Sequence, residues 1–213
     1  MKYDVELVFS KRKSLSITVS AENKITLRCP LGYSKERAER FLNEKSAWIE
    51  RTVLRNEKTL SLNAEIISYK SIYVNGAKLP LFTGCKKIAI TEEGVFVKGI
   101  KDIKKLFVSS FAKAFVSRVE EVSRKTGLKF NGISVKSYKS RWGCCDGRNN
   151  LAFNYKLFML PDSIQYYIII HELCHTVQHN HSEKFWQLVE RFVPNYKKIK
   201  KALRSYDFLT TLY

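Results

Sequence analysis

The apolar residues of this chain follow two different periods, and the change falls near residue 100. Before that point, apolar and polar positions alternate at residues 3–9, 15–19 and 25–29. A period of two predicts half-buried β-strands. Farther on, the pair Asn75-Gly76 lies between two more alternating runs, which predicts a tight hairpin turn.

One helix is predicted to interrupt these strands. Pro30 and Gly32 break the alternating pattern, and Ser34 can cap a helix whose apolar face continues to about Arg55. The first hundred residues are therefore expected to form a strand-rich region that contains one helix.

Beyond residue 100 the pattern becomes mainly helical. Apolar residues recur three or four positions apart up to Gly127, which predicts a long helix that this glycine ends. Strands are predicted near residues 133–137 and 151–158, and Pro161 with Asp162 begins another helix. The whole pattern predicts an α+β fold.

The composition agrees with one compact unit made of residues 1–100 and 101–213. The chain has 213 residues and 45% hydrophobic content, enough for a substantial core. The apolar run at residues 166–170 is far shorter than the roughly 20 residues of a membrane span. The N-terminal residues alternate and carry charge, unlike a signal peptide. The five cysteines are odd in number and lack C-x-x-C spacing, which indicates free thiols. We therefore expect a cytoplasmic protein that contacts no membrane.

The chain is strongly basic, with 38 lysines and arginines against 20 acidic residues and a formal net charge of +18. Such a charge favours an anionic partner, such as nucleic acid, a nucleotide or an acidic surface. The alternative is a solvated lysine-rich surface without a binding function, and no nucleic-acid motif accompanies the charge. Binding of nucleic acid or of a nucleotide remains an alternative.

All four histidines of the chain lie in one short segment, HELCHTVQHNH, at residues 171–181. On a helix, His171 and His175 leave the same face one turn apart, so that both imidazoles can bind one Zn²⁺. Glu172 follows the first histidine directly, where its carboxylate can reach a water on the metal without binding the metal itself. Burying these polar groups without a metal would be costly, so the segment predicts a zinc centre.

A catalytic zinc site usually has three protein ligands and one open position. His179 and His181 are candidates for the third ligand. Eight residues of helix rise about 12 Å, so His171 and His179 cannot share one ion on a regular helix.

A turn after the helix would bring His181 back towards the ion. Asn180 tolerates the left-handed conformation that ends helices, and Ser182 can cap the next helix. We therefore predict His181 as the third ligand, with Glu183 or Glu190 as the alternative.

Several segments of this sequence resemble the YgjP-like family of predicted metal-dependent hydrolases. They include KSRWGCC, NLAFNYKLFMLP, YYIIIHELCHTVQHNHSEKFW and VPNYKKIKKALR, and the N-terminal stretch beginning KRKSLSITVS matches as well. The resemblance therefore covers nearly the whole chain. Its specific part is H-E-x-x-H, followed by N-H-S-x-x-F-W and preceded by S-R-W-G.

The resemblance implies a zincin-like catalytic core, with an active-site helix and a small sheet, related to SprT-like proteases. It also implies one Zn²⁺ held by His171, His175 and His181, with Glu172 as the catalytic residue. Cys144 departs from the family, which usually has serine there. Family members are labelled as peptidases, and nucleotide pyrophosphatase activity is also attached to the family.

The favoured function is a zinc-dependent metallopeptidase in which Glu172 acts as general base. An extended peptide would pair with the strand at residues 151–157, taken as a sheet edge, where Asn154 faces away from the core. The first alternative is a nucleoside triphosphate pyrophosphatase in which Arg141 holds phosphate. The second is a nucleic-acid-binding module with structural zinc, which would need a fourth ligand and would not need Glu172.

Overall fold

The computed structural model describes residues 3–20, 22–68 and 71–211 of the chain. The fold class is α+β, as the apolar pattern predicted. The chain divides into two compact units, Met1–Ala64 and Glu65–Tyr213. The packing of the strand-rich and helical regions as one unit stays a prediction.

The first unit combines a small sheet with two helices. Strands β1 (Val5–Ser10), β2 (Ser16–Val19) and β3 (Ile25–Pro30) form a sheet in the order β1-β3-β2, in which β1 is parallel and β2 antiparallel to β3. Helices α1 (Lys35–Glu44) and α2 (Ser46–Ser68) follow. The buried side chains of β3 pack against the apolar faces of both helices.

The single helix predicted between Ser34 and Arg55 is in fact two helices. Ser34 caps α1 as expected, because its hydroxyl accepts a hydrogen bond from the Arg37 N–H. Lys45 leaves helical geometry, with φ −96° and ψ 2°, and separates α1 from α2. The apolar period does not register this one-residue break, because apolar residues on both sides still face the core.

The second unit opens with a four-stranded sheet. Its strands are β4 (Ser71–Val74), β5 (Ala77–Phe82), β6 (Ala89–Thr91) and β7 (Gly94–Phe96), in the order β4-β5-β7-β6. The hairpin predicted at Asn75-Gly76 is present, with φ of 48° and 85°. The Asn75 and Gly76 N–H groups donate hydrogen bonds to the carbonyl oxygens of Phe158 and Met159 in the C-terminal half. These strands therefore belong with the second unit, and the division falls before residue 100.

Helix α3 (Asp102–Thr126) supports a three-stranded sheet. The helix ends at Gly127, whose φ of 74° is the left-handed conformation expected there. Strands β8 (Gly132–Lys136), β9 (Gly143–Cys145) and β10 (Asn150–Asn154) form the order β8-β10-β9. Strand β10 is parallel to β8 and antiparallel to β9. The prediction that residues 151–157 form a sheet edge is therefore wrong, since β10 is paired on both sides.

Strand β10 ends earlier than its alternating pattern indicated. Residues Tyr155–Met159 form a 3₁₀ helix, because the Asn154 side chain accepts a hydrogen bond from the Lys156 N–H and turns the backbone there. The structure continues with α4 (Asp162–His175), α5 (Glu183–Phe192), α6 (Tyr196–Leu203) and a 3₁₀ segment (Arg204–Thr211).

Helix α4 lies at the centre of the second unit. It contacts α3, α5, α6 and β9, and its residues are buried on nearly every side. Arg118 on α3 donates two hydrogen bonds to the carboxylate of Asp162, the first residue of α4. A Cβ on Gly76 would come within 2.7 Å of Pro161, so the hairpin also packs closely against the start of α4. These contacts hold the segment that carries His171 and His175 in place. Over the described residues, no helix is both long and apolar enough to span a bilayer.

Candidate metal centre

Helix α4 and the turn after it bring three histidines together. His171 and His175 lie one turn apart on α4, and their ring centroids are 4.9 Å apart. The Nε2 atom of His181 lies 3.2 Å from the Nε2 atom of His171. One nitrogen from each of the three rings lies within 4.8 Å of the others. Within the described ranges this group does not include His179, Glu183 or Glu190.

The turn that returns His181 to the helix has a clear local basis. The Gln178 N–H donates to the Cys174 carbonyl and closes the end of α4. The Asn180 side chain accepts from the Ser182 N–H, and the Ser182 hydroxyl accepts from the Phe185 N–H and caps α5. The prediction of a left-handed Asn180 is wrong, since Asn180 is not among the described residues with positive φ. Its side-chain hydrogen bond makes the turn instead.

The spacing of the His171 and His181 nitrogens is that expected of two ligands on one tetrahedral zinc ion. Two nitrogens that each lie 2.0–2.1 Å from such an ion are about 3.3 Å apart, close to the 3.2 Å between His171 and His181. The Nδ1 atom of His175 lies 3.0 Å from the Gln178 carbonyl oxygen, which can only accept. Nδ1 therefore carries the proton, and the lone pair on Nε2 is free for a metal.

The electrostatics of the group also favour a metal. Burial lowers the pKa of His171 to about 3, and the charges of the neighbouring histidines and of Lys200 act in the same direction. Burial likewise lowers the pKa of His175 and of His181. All three imidazoles are therefore neutral at neutral pH, which is the form that binds a metal ion.

Glu172 directly follows His171 on α4 and is buried, with 6% of its surface exposed. Burial raises the pKa of its carboxyl to about 8, while the positive charge of Arg141 acts in the opposite direction. Burial disfavours the charged form, and a nearby cation would favour it. The ionisation of Glu172 therefore depends on the positive charge near it.

Gly143 is a site residue that the sequence analysis missed. A Cβ at this position would lie 2.7 Å from Cγ and 2.9 Å from Oε1 of Glu172. Only glycine lets the backbone of β9 pass this close to the carboxylate. The one available signal was a glycine inside a short strand, which often marks a close approach of the backbone.

Asn154 does not face outwards as predicted, whereas the substrate-binding role of Arg141 stays a prediction. Asn154 is fully buried, and its Nδ2 donates to the carbonyl oxygens of Tyr138 and Arg141, both at 2.9 Å. It therefore holds the loop before β9 and does not face a substrate. The Arg141 side chain is exposed, and its guanidinium lies 5.7 Å from the centre of the Tyr138 ring.

Cys145 and Cys174 are protonated thiols. Burial is the main cause that raises the pKa of Cys145 to about 11, and the negative charge of Glu172 adds to it. Burial raises the pKa of Cys174 to about 12. Because a thiolate is the form that reacts or binds metal, neither thiol is suited to a chemical role here.

Comparison with known proteins assigns the chain to a family. A family model described as the YgjP-like metallopeptidase domain matches residues 13–206. Among solved structures, the chain is similar to the metallopeptidase zymogen of Pyrococcus abyssi abylysin, with 20% sequence identity and a TM-score of 0.40. That match covers 43% of this chain and 93% of the other. No curated protein is significantly similar to the chain.

Proposed function

The chain belongs to the YgjP-like metallopeptidase family, and we propose that it is a zinc-dependent peptidase. One Zn²⁺ is held by His171, His175 and His181, and Glu172 is the general base. The observation that carries this proposal is the meeting of three neutral imidazoles, one of which, His171, is followed directly by the buried carboxyl group of Glu172.

The described residues offer three donor atoms rather than four at this group. A structural zinc site is closed by four ligands, whereas a catalytic site keeps one position open. This donor set supports the enzyme over the nucleic-acid-binding module with structural zinc.

Bound zinc would supply a Lewis acid that lowers the pKa of a water molecule and polarises the substrate carbonyl. Glu172 accepts the proton of the attacking water and returns it to the leaving amine. Its burial favours the protonated form after the first transfer, which suits a group that must then act as an acid. The close approach of Gly143 restricts the Glu172 side chain on the β9 side.

The peptide would run along β9. Strand β9 pairs with β10 on one side only, so it is an edge strand of the three-stranded sheet. Its residue Gly143 lies against Glu172, so a peptide added to this edge would lie close to the base. An extended peptide can add to such an edge through main-chain hydrogen bonds. This proposal replaces the binding role first given to residues 151–157.

We also place the protein in the cytoplasm. The support is that all five cysteines are free thiols, which suits a reducing compartment.

An activity screen of the zinc-loaded protein tests the proposal. Casein-like peptides and nucleoside triphosphates are assayed in parallel, with Glu172→Gln as the blank. We expect cleavage of peptides by the wild type and none by the blank. Hydrolysis of triphosphates with no cleavage of any peptide would overturn the peptidase proposal in favour of the pyrophosphatase alternative.

A further inference from the structure

A cavity of about 420 Å³ opens beside Trp186, whose ring contacts those of His171 and His181. It is lined by two aromatic and four basic residues: Trp186, Tyr196, Lys197, Lys200, Lys201 and Arg204. Its lining contains no acidic residue. The cavity is therefore a basic pocket with aromatic walls.

Trp186 forms a wall that this basic pocket shares with the metal centre. Its ring stacks on the His181 ring with centroids 5.5 Å apart, and it lies 5.9 Å from the His171 ring. The same ring stacks on Tyr196 at 5.3 Å, and the Lys200 ammonium lies 4.0 Å from its centre. A group held at Lys200 therefore lies near the metal centre, because Lys200 and His181 both contact the Trp186 ring.

The basic residues of the pocket all come from α6 and its C-terminal end. Lys197, Lys200, Lys201 and Arg204 follow a spacing of three and four residues, so they leave one face of α6 and its end. Like charges at this spacing destabilise a helix. Lys197 lies 4.0 Å from Glu190, a long ion pair. Over residues 71–211, Lys200, Lys201 and Arg204 have no carboxylate within ion-pair distance.

These groups are suited to a carboxylate. Arginine offers a planar fork of donors that can bind both oxygens of a carboxylate, and lysine offers a compact positive charge. A metallopeptidase works on polypeptides, which carry carboxylates on acidic side chains and at the C-terminus. Both sources present the same chemistry to the basic pocket.

We propose that the basic pocket binds a carboxylate of the peptide substrate and makes the enzyme selective for acidic peptides. Lys200 and Arg204 are the specificity-determining residues, and Trp186 is the side chain that contacts both the basic pocket and the metal centre. This inference rests on the proposed peptidase function, and its test must separate the two.

The experiment uses the zinc-loaded full chain and matched peptides. In one series a single Glu is moved along a neutral peptide, and each member has a Gln partner. In a second series the peptide ends in a free carboxylate or in an amide. The variants are Lys200→Gln and Arg204→Gln, and the control is Lys129→Gln, an exposed lysine outside the pocket. The two series distinguish a side-chain carboxylate from the C-terminus.

We expect the wild type to prefer one carboxylate position by about five- to tenfold in kcat/KM, mainly through KM. Lys200→Gln and Arg204→Gln bring this ratio towards one, and Lys129→Gln leaves it unchanged. A wild-type ratio of one in both series, or an unchanged ratio in both pocket variants, would overturn the proposal.

Binding separates this inference from the proposed function. The same peptides are titrated by calorimetry into zinc-loaded Glu172→Gln, with and without Lys200→Gln. If no peptide is cleaved but acidic peptides bind and lose affinity on loss of Lys200, the basic pocket stands and the peptidase function fails. Binding of a nucleoside triphosphate with no binding of acidic peptides overturns the proposal of a carboxylate site.

Discussion

At the scale of single residues, Glu172 is the group that we propose as the general base. It follows His171 directly, and burial raises its pKa to about 8. Glu172→Gln keeps the shape of the side chain and removes its basicity. We expect this variant to keep the fold and the zinc while kcat falls about 10²- to 10⁴-fold. Parallel assays of kcat and of zinc content check this, and equal activity in the variant would exclude Glu172 as the base.

Gly143 restricts the position of that base. A methyl group at residue 143 would lie within 3 Å of three atoms of Glu172, so the carboxylate must move in Gly143→Ala. Because small displacements of a catalytic group are costly, we expect activity to fall about 10- to 100-fold with the zinc content unchanged.

The matched control is Gly147→Ala, where an added Cβ meets no atom within 4 Å. Comparison of kcat/KM and zinc content in the two variants makes the test. Gly143→Ala with the activity of Gly147→Ala would show that the close contact has no role in catalysis.

Single residues also show how much of the site could be predicted from the sequence. The choice of His181 over His179 followed from the rise of a helix, a local property, and the structure brings His181 to the other two rings. The contact of Gly143 with Glu172 joins residues of a strand and a helix that are distant in sequence. No local period reports such a contact. The burial of Asn154 was missed for the same reason. Asn154 ends β10, and its hydrogen-bond partners lie in the loop before β9.

At the scale of elements, the 3₁₀ helix Tyr155–Met159 is tied to the C-terminal segment by a buried lysine. The Lys156 Nζ donates a hydrogen bond of 2.7 Å to the Thr210 carbonyl, and 3% of the residue is exposed. Burial lowers its pKa from 10.5 to about 8. The folded state therefore disfavours the charged lysine.

This burial predicts a specific dependence of stability on pH. Between pH 8 and 10.5 the unfolded chain binds more protons at Lys156 than the folded chain, so the free energy of unfolding rises with pH. The rise from this group is on the order of 3 kcal/mol across the window. Lys156→Met removes this contribution, while every other titrating group remains. Urea unfolding measures the free energy of unfolding of the wild type and of Lys156→Met from pH 7 to 10. The same pH dependence in both proteins would contradict the prediction.

Helices and turns with strong local signals were predicted well, but the pairing of strands within a sheet was not. Helix α3 ends at Gly127 and the hairpin turns at Asn75-Gly76, as their sequences indicate. The position of β10 at the centre of its sheet depends on partners on both sides, one of which is three residues long. An alternating pattern identifies a strand but does not identify its neighbours.

At the scale of the whole molecule, the net charge of +18 leads us to expect that DNA binding and peptide cleavage depend differently on salt. Any association with DNA depends on phosphate contacts, so we expect it to fall steeply between low and physiological salt. Cleavage of a neutral peptide at the metal centre depends on short contacts and should change little over that range. Parallel salt titrations measure both. Tight DNA binding that persists at physiological salt, without peptide turnover, would contradict the enzyme proposal.

The most direct test of the central claim is the zinc content of the protein and of four single-alanine variants. Each protein is supplied with zinc, dialysed and analysed for bound metal. We predict about one zinc per chain in the wild type and in His179→Ala, because His179 lies outside the group of three histidines. We predict that His171→Ala, His175→Ala and His181→Ala do not retain the metal. A wild type without zinc, or loss of zinc from His179→Ala and not from His181→Ala, would contradict the account.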